Sequence, residues 1–315
     1  MRKLAITTAA ALTALAAFCV WGAWVYEGQW GSGGRGHGQF RYPFGITISP
    51  RDVVYVADTG NHRVQYFTPH GSFLGAWGGY GTGKGQFLEP CGIDAGPDGR
   101  IYVADTGNIR VQVFTSVGSF LAQWRWRGAD DVAVAPGGYV YVVDNDYHRV
   151  YYFKPNGSVV GSWGTPGSGD GQFQWPEGVA VAPNGNVYVM DTLNGRVQYF
   201  TPVGSFLGKW GSSGQGEGQF RFASHLVAAP DGNVYVADCG NYRVQYFTPH
   251  GSFLGSWGTP GSGKGEFDWP HGVAFLTSGA RIYVAEGFGY RVQYFNRNTP
   301  AVSPASLGRV KALFK

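Results

Sequence analysis

The sequence predicts an all-β fold, a six-bladed β-propeller of four-stranded antiparallel blades, and three observations support this prediction. The first is a repeated phrase: residues 58–78 read DTGNHRVQYFTPHGSFLGAWG, and residues 238–258 read DCGNYRVQYFTPHGSFLGSWG. The acid that opens the phrase recurs at Asp58, Asp105, Asp144, Asp191, Asp238 and Glu286. These positions lie 47, 39, 47, 47 and 48 residues apart. Self-similarity at such a period is typical of solenoids, arrays and propellers.

The second observation is the strand pattern inside each repeat. In the first repeat PFGITIS is followed by VVYVAD, RVQYF and GSFLGAW, with Gly, Pro, Asn and Asp at the junctions. The chain has 52 glycines, 16% aromatic residues and only 14% charged residues, a composition that favours many short strands. Runs such as VVYVA are apolar on both faces, so we expect each sheet to pack between two neighbours.

The third observation is that the two ends of the repeat region complete one another. The sixth repeat reaches RVQYFN at residues 291–296 and then lacks its fourth strand. Residues 25–31, VYEGQWG, match the fourth strand of the other repeats and bring Trp30 into register with their closing tryptophans. We therefore expect this N-terminal strand to complete the last blade and close the ring, and we predict a propeller domain over residues 24–296.

The pattern P-x-G-[IV], VYVAD-x-x-N-x-RVQYF and GSFLxxWG resembles that of the NHL-repeat family. The resemblance covers Val25 to about Asn296 and implies a six-bladed propeller. Members of that family include extracytoplasmic sensor domains, RNA- or protein-binding platforms and a peptide-amidating lyase. The resemblance therefore implies the fold and leaves open whether the protein binds or catalyses.

The first 23 residues are predicted to be a secretory signal peptide. Arg2 and Lys3 precede an uncharged run, Leu4 to Val20, and Ala14 and Ala16 provide a small-residue cleavage site. The alternative is an uncleaved signal anchor, because the apolar stretch just reaches the length of a membrane span. Membrane association is expected only in that case. Both alternatives predict an exported protein that is periplasmic, on the cell surface or secreted.

Residues 297–315 are predicted to form a Pro/Ser linker and a short basic amphipathic tail, with Leu307, Val310 and Phe314 on one helical face. The formal net charge of +4 falls to −1 once the N-terminal and tail cations Arg2, Lys3, Arg309, Lys311 and Lys315 are left out. A near-neutral body lacks the attraction that nucleic acid requires, so we predict no nucleic-acid partner. We expect a monomer.

The turn D-x-x-N-x-R and the glycine-rich segments such as GTGKGQF are predicted to be structural. Six copies around a ring indicate a scaffold, and we expect each arginine to hold its aspartate in two parallel bonds. No helix follows the glycine-rich segments, so they lack the helix N-terminus of a phosphate-binding loop. We predict that they connect the blades, with the phenylalanine packed beneath.

The third repeat departs most from the pattern. Its glycine-rich segment is replaced by QWRWRGADD at residues 123–131, and its turn reads DNDYHR at residues 144–149. Local departures from a self-consistent pattern mark candidate functional sites, and an aromatic residue between arginines suits a sugar ring, an aromatic group or an anion. The predicted ligand-binding residues beside this notch are Arg125, Trp126, Arg127, Asp146, Tyr147 and His148. The alternative is a degenerate blade in which Trp126 packs inward.

A second candidate site lies at the mouth of the central channel, where each innermost strand begins after Pro-x-Gly. Carboxylates and imidazoles occupy these variable positions in repeats three to six and are candidate ligands for a divalent cation, Zn²⁺ or Ca²⁺: Asp130, Asp131, Glu177, His225 and His271. A solvated polar rim without metal is the alternative.

Two functions therefore stay open. One is a non-catalytic recognition or scaffold module that binds a protein, peptide or glycan on its loop face. The other is a metal-dependent lyase or hydrolase with its site at the channel mouth.

Overall fold

The structure is a computed structural model that describes residues 24–125 and 128–297. Residues Val25–Asn296 form one compact unit, which contains six four-stranded antiparallel sheets, one for each repeat. This confirms the predicted six-bladed architecture. The predicted signal segment and nearly all of the predicted tail lie outside the described residues. Within the described part of the chain, no helix is long and apolar enough to cross a membrane.

The strands are numbered along the chain. The first, before blade one, is β1 (Trp24–Trp30). Blade one has β2 (Pro43–Ile48), β3 (Val54–Asp58), β4 (Arg63–Phe67) and β5 (Phe73–Gly78). Blade two has β6 (Pro90–Ala95), β7 (Ile101–Asp105), β8 (Arg110–Phe114) and β9 (Phe120–Arg125). Blade three has β10 (Ala129–Val134), β11 (Val140–Asp144), β12 (Arg149–Phe153) and β13 (Val159–Trp163).

The second half of the ring repeats this order. Blade four has β14 (Pro176–Val181), β15 (Val187–Asp191), β16 (Arg196–Phe200) and β17 (Phe206–Trp210). Blade five is preceded by the short parallel pair β18 (Ser212–Ser213) and β19 (Gln219–Phe220), followed by β20 (Ala223–Ala228), β21 (Val234–Asp238), β22 (Arg243–Phe247) and β23 (Phe253–Trp257). Blade six has β24 (Pro270–Phe275), β25 (Arg281–Glu286) and β26 (Arg291–Arg297). Short 3₁₀ turns join the second and third strands at Thr59–Asn61, Thr106–Asn108, Thr192–Asn194 and Cys239–Asn241.

The N-terminal strand closes the ring, as predicted. The sixth sheet has the order β1-β26-β25-β24, so β1 supplies its outermost strand. The carboxylate of Glu27 lies 2.7 Å from Nη2 of Arg281, and Oε1 of Gln29 accepts a 3.2 Å hydrogen bond from Arg291. Blade six is therefore built from both ends of the repeat region.

The hydrophobic core lies between adjacent blades. Val54 and Val56 of blade one, for example, pack with Tyr283 and Ala285 of blade six. The apolar runs on the two middle strands face a neighbouring sheet on each side, which explains why they do not alternate with polar residues. The closing tryptophans pack beside the outer strands: the ring of Trp77 contacts those of Tyr55, Tyr66 and Phe114.

The D-x-x-N-x-R turn of a complete blade holds that blade's glycine loop. In blade one the buried Asp58 accepts hydrogen bonds from the side chains of Asn61, Arg63 and Gln65, at 2.7 to 3.0 Å, and from the backbone N–H of Arg41 at 2.8 Å. Arg63 binds the aspartate through Nε alone, and its Nη2 donates to two loop carbonyls. The predicted parallel pair of bonds is therefore wrong for blade one, because the loop takes up the rest of the guanidinium.

A buried phenylalanine anchors each complete loop, as predicted: Phe40, Phe87, Phe173, Phe220 and Phe267. The outer strand of the preceding blade ends in glycine at this point. Gly78 has φ +104°, and a Cβ there would lie 2.5 Å from the ring of Phe87. Phenylalanine and glycine therefore form a matched pair, since a side chain in place of the glycine would collide with the ring.

Candidate functional site

A cavity of about 740 Å³ lies between blades two and three. Blade two contributes Thr82, Gly107, Asn108, Ile109, Arg110 and Arg125 to its lining, and blade three contributes Asp144, Tyr147 and Tyr151. Its volume is within the range of small-molecule and peptide sites. We call it the blade-three cavity.

The cavity lies where the other blades hold a glycine loop. Only residues 126–128 connect β9 to β10, whereas eleven or twelve residues lead into the first strand of every other blade. Asp144, Tyr147 and Tyr151 occupy the positions at which Asp58, Asn61 and Gln65 bind the loop of blade one. The short connection therefore leaves the loop-binding side of blade three facing a cavity.

The short connection also explains Arg125. Arg125 pairs with Arg110 across β8 and β9, just as Gly78 pairs with Arg63 across β4 and β5. Arg125 therefore occupies the position that holds glycine in the glycine–phenylalanine pair. The third repeat contains no G-Q-F segment. Without that phenylalanine a side chain fits, and the exposed guanidinium of Arg125 lines the cavity.

The surroundings of Asp144 differ from those of the equivalent acid in the complete blades. Its side chain is fully buried, and its Oδ1 accepts the backbone N–H of Tyr147 at 2.8 Å. Its Oδ2 has no hydrogen-bond partner among the described residues. Arg149, which would pair with it in a complete blade, donates instead to the carbonyl of Gly164 at 2.9 Å.

Burial raises the pKa of Asp144 to about 6, and the charge of Asp146 adds to the effect, while the N–H of Tyr147 opposes it. Burial disfavours the charged form of a carboxyl that has few hydrogen-bond donors. A hydrogen-bond donor or cation reaching Oδ2 would remove that penalty. Asp144 is thus an acceptor within the cavity lining that the protein itself leaves unsatisfied.

One wall of the cavity shows backbone strain. Ile109 has φ +55°, in the left-handed region, and half of its side chain is exposed. The same position is left-handed in the turns of other blades, as at His62 and Tyr242, so Ile109 adopts the ordinary conformation of the turn and is strained because it is β-branched. Together with Tyr147 and Tyr151 it gives the cavity an apolar and aromatic wall beside the acceptor Asp144 and the cation Arg125.

The predicted ligand residues divide into three groups. Arg125 and Tyr147 line the cavity. Asp146 is exposed to solvent, and His148 Nδ1 accepts the backbone N–H of Trp175 at 3.0 Å, so it faces blade four. Trp126 and Arg127 lie outside the described residues.

Sequence reasoning missed the other seven residues of the lining, and three of them matter most for its chemistry. Asp144 was assigned to the scaffold, and Tyr151 and Ile109 were not singled out. Alignment of the third strands would have identified Tyr151, because the other five repeats have glutamine there: Gln65, Gln112, Gln198, Gln245 and Gln293.

The channel mouth brings some of the predicted metal ligands into pairs. Nε2 of His225 lies 3.7 Å from Oδ2 of Asp131. Each of these side chains also accepts a backbone N–H from the next inner strand. His225 accepts from Val273 at 3.4 Å, and Asp131 accepts from Val179 at 3.0 Å. These bonds between inner strands give Asp131 and His225 a structural role.

His271 belongs to a different contact group. Its Nδ1 lies 3.1 Å from Oγ of Ser224, and its ring stacks on Phe44 with the centroids 3.9 Å apart. Among the described residues, no three His, Cys, Asp or Glu side chains lie close enough to share a metal ion. The structure therefore does not bring the five predicted ligands together as one set, and a metal at the mouth stays a prediction.

Burial shifts the mouth groups towards their neutral forms. It raises the pKa of Asp130 and of Glu177 to about 7 and the pKa of Asp131 well above its usual value. It lowers the pKa of His225 to about 4 and that of His271 to about 3. Burial therefore favours the neutral form of each of these side chains.

Comparison with known sequences and structures agrees with the fold. The sequence model of the NHL repeat matches residues 40–67, 87–114, 173–200 and 220–247. These segments lie in blades one, two, four and five, and each runs from the loop phenylalanine to the end of the third strand. Blades three and six, which break the D-x-x-N-x-R turn, lie outside the matched ranges. No curated protein sequence matches the chain.

Solved propellers resemble the chain at low sequence identity. A streptogramin B lyase is 13% identical with a TM-score of 0.59, over 82% of this chain and 94% of that one. A virginiamycin B lyase from Staphylococcus aureus is 14% identical with a TM-score of 0.57, over 80% and 79%. A gluconolactonase from Xanthomonas campestris is 14% identical with a TM-score of 0.63, over 88% and 98%. At these identities the likeness concerns the fold alone. The chain is a six-bladed β-propeller that carries NHL repeats in four of its blades.

Proposed function

We propose that this propeller is an exported, non-catalytic recognition module whose ligand binds in the blade-three cavity. The observation that carries the proposal is Oδ2 of Asp144, a buried acceptor without a partner among the described residues, in the lining of a cavity of about 740 Å³. Leaving such an oxygen unpaired costs about 1–3 kcal/mol. The oxygen is shielded from solvent, so a ligand that turns the Asp144 side chain towards the cavity and donates to it recovers this energy on binding.

The lining suits recognition more than catalysis. The described lining residues include an acceptor, a cation, tyrosines and an aliphatic wall, and none is a serine, cysteine or histidine. The side chains most often used as nucleophile and base in covalent catalysis are therefore missing from the described lining. The blades on either side form a rigid frame that holds these groups in place.

The alternative, a metal-dependent lyase or hydrolase at the channel mouth, is favoured by one observation. Asp130 and Glu177 have pKa values raised to about 7 by burial, and such values suit general acid–base chemistry. Metal analysis of purified protein and of a His271→Ala variant tests it. Near-stoichiometric metal that is lost in the variant would support the enzyme.

Export is a separate part of the proposal and rests on the residues before the propeller. N-terminal sequencing of the protein recovered from its natural source tests it. A chain that begins near residue 24 supports a cleaved signal. A chain that retains Arg2 and Lys3 in a membrane fraction supports the anchor.

The cavity is tested by a ligand screen observed by NMR. The library should contain guanidines, amines, amides, saccharides and short peptides. Hits that bind in the cavity are expected to lose at least tenfold in affinity in Asp144→Asn and to weaken in Arg125→Ala. The matched control is Lys209→Ala, an exposed cation on the outer strand of blade four. Hits that ignore the two cavity variants, or a screen without hits, would contradict the proposal.

A further inference from the structure

We infer that the mouth of the central channel carries a second binding surface, which takes an extended β-linked glycan by stacking its pyranose rings on exposed aromatic side chains. This surface goes beyond the proposed function, because it shares no residue with the described lining of the blade-three cavity. Five residues in four consecutive blades form it, and we call them the aromatic rim: Trp175, Phe222, Trp269, Phe288 and Tyr42.

Four of the rim residues occupy one equivalent position, directly before the innermost strand of a blade. In all six blades this residue has a left-handed backbone, with φ from +48° to +69°: Tyr42, Glu89, Gly128, Trp175, Phe222 and Trp269. The left-handed conformation is thus a requirement of the fold, and the glycine of blade three meets it without strain. Four blades nevertheless have an aromatic residue there, so the backbone does not account for the choice of side chain.

Burial does not account for the aromatic side chains either. Tyr42, Trp175 and Phe222 are 41–53% exposed, and Trp269 is half-buried. Aromatic side chains contribute most to stability when they are fully buried, whereas these leave much of their surface in solvent. Exposed aromatic residues that cost backbone strain and add little to the core indicate an interaction surface.

Blade six adds a further aromatic residue to the rim. Its turn reads EGFGYR at residues 286–291, and Phe288 takes the place of Gly60 in blade one, two residues after the acid that opens the turn. Phe288 is 45% exposed. Its ring centroid lies 5.4 Å from that of Tyr42 and 5.7 Å from that of Trp269, with both pairs edge to face. Phe288 thus joins the aromatic residues of blades six and one into one continuous surface.

Polar side chains alternate with the aromatic rings along the rim. A residue with a planar polar group comes directly before each of the four left-handed aromatics: Arg41, Gln174, Arg221 and Asp268. Just inside the rim, the carboxylate of Glu177 accepts a hydrogen bond from the side chain of Trp175. Guanidinium, amide and carboxylate groups can each bond two neighbouring hydroxyls at once. The rim therefore offers apolar faces and hydroxyl partners side by side.

This alternation favours a sugar over other partners. A pyranose with equatorial substituents has an apolar C–H face that stacks on an aromatic ring, and its hydroxyls need both donors and acceptors. A protein partner favours an interface core that is depleted of charged residues. A membrane surface favours cations alone, whereas Glu89 and Asp268 stand among Arg41 and Arg221. Because the rim crosses four blades, a flat β-linked chain can contact several rings together.

The two ends of the propeller unit lie on the face opposite the aromatic rim. Arg291 pairs with Glu286 at the turn beside the rim, and Asn296 pairs with Arg281 at the other end of the blade. Gly31 lies beside Arg291, so β1 begins where β26 ends. A ligand from another molecule therefore suits the rim better than either end of this chain.

The first test is isothermal titration calorimetry of the full chain with cellohexaose, xylohexaose and chitohexaose. We expect saturable binding of at least one of these β-linked oligosaccharides. Trp175→Ala and Phe222→Ala should each weaken it at least tenfold, and Trp175→Phe, which keeps a ring, should lose less. The matched control is Tyr139→Ala, which removes an exposed tyrosine from the opposite face and should leave the affinity unchanged.

The second test restores the glycine of the complete blades. Phe288→Gly should weaken glycan binding at least threefold and keep the melting temperature within a few degrees, because the side chain is half exposed. Saturation-transfer NMR on the bound oligosaccharide should show the strongest signals at the C–H protons of the stacked faces. If an alanine variant fails to fold, Phe288→Gly and the NMR measurement still decide the question.

The outcomes separate the rim from the blade-three cavity. Asp144→Asn should leave glycan affinity unchanged, and a saccharide hit of the NMR screen that Trp175→Ala abolishes belongs to the rim and does not bear on the cavity. If none of the three oligosaccharides binds at millimolar concentration, the glycan inference is overturned and the proposed function stands. Glycan binding that depends on Asp144 and ignores Trp175→Ala and Phe288→Gly overturns the rim and supports the cavity.

A membrane arm completes the test. Vesicles of phosphatidylglycerol should not bind the chain through the rim. Vesicle binding that Trp175→Ala abolishes, without binding of any oligosaccharide, would identify the rim as a membrane surface and overturn the glycan inference.

Discussion

Blade one and blade three have an aspartate at the same position of the turn but surround it differently. In blade one, Asp58 is surrounded by donors from its own turn, its third strand and its loop. In blade three, Asp144 keeps the position and the burial but loses the arginine and the loop, and Oδ2 is left without a partner among the described residues. The difference shows that a shortened connection leaves a buried structural carboxylate with one oxygen unpaired among the described residues.

The loss of the loop has also changed its neighbours. Arg63 in blade one divides its guanidinium between Asp58 and two loop carbonyls, whereas Arg149 in blade three turns to the carbonyl of Gly164. An arginine is placed by the sum of its acceptors, so removal of two loop carbonyls moves it away from the third. The changes at Arg125, Tyr147, Arg149 and Tyr151 in blade three thus all accompany the loss of its glycine loop.

The largest contrast should appear when each aspartate is removed. Asp58→Ala leaves a buried arginine, an asparagine and a glutamine without their acceptor, and we expect it to lower the free energy of unfolding by about 3–5 kcal/mol. Asp144→Ala should change it by less than about 1 kcal/mol, since few bonds are lost. Urea unfolding of the two variants measures both. Equal losses would mean that the two aspartates do the same structural work.

Substituting arginine for Gly78 and glycine for Arg125, at equivalent positions of two blades, should have unequal effects on stability. Gly78→Arg places a side chain against the ring of Phe87 at φ +104°, and we expect a loss of about 2–4 kcal/mol from backbone strain and overpacking. Arg125→Gly should change stability by less than about 0.5 kcal/mol, because the side chain is exposed. Thermal unfolding gives the comparison. Tolerance of Gly78→Arg would show that the phenylalanine does not require glycine.

The pH dependence of stability should distinguish Asp144. Its pKa is raised by burial from 3.8 to about 6, so it is protonated in both folded and unfolded chains well below pH 4 and ionised in both well above pH 6. Folding therefore loses stability as the pH rises between these values. Asp144→Asn should match the wild type at pH 4 and exceed it by about 1–2 kcal/mol at pH 8.

Urea unfolding at the two pH values checks this expectation. The control is Asp98→Asn, which alters an exposed carboxyl of blade two. A difference between Asp144→Asn and the wild type that is the same at pH 4 and pH 8 would contradict the assignment.

The smallest effect is expected at Ile109. Asparagine tolerates the left-handed region better than a β-branched residue, so Ile109→Asn should stabilise the fold by about 1 kcal/mol. Ligand affinity at the blade-three cavity should fall, because the apolar wall is shortened. Melting temperature measures the first effect, and titration with a ligand found by the NMR screen measures the second. A variant that is less stable than the wild type would show that packing of Ile109 outweighs its strain.

Much of the fold follows from the sequence because six similar repeats can be compared with one another. The comparison shows both the shared strand pattern and the places where one repeat departs from it. The interval of 39 residues before Asp144 located the shortened blade, and Trp30 located the closing strand. The same comparison identified Arg125 and Tyr147, which line the cavity.

The rest of the site depends on contacts between blades. Ile109 belongs to the turn of blade two, 35 residues before Asp144, and only the ring geometry brings the two together. Asp146 and His148 lie next to Tyr147 in sequence, yet one side chain is in solvent and the other bonds to blade four, because successive turn residues point in different directions. The mouth residues were expected to converge, but Asp131 and His225 each bond to the neighbouring inner strand and His271 stacks on Phe44.

The closing strand has a consequence for the order of folding. Residues of β1 pair with β26, whose partners are separated from them by nearly the whole length of the ring. Contacts of such high sequence separation carry a large loop-closure entropy and form late. Blades one to five can assemble from local hairpins, whereas blade six waits for the last strand to be synthesised. Until then β1 lacks its partner strand, so the final hydrogen bonds of the ring form only after all six blades have been synthesised.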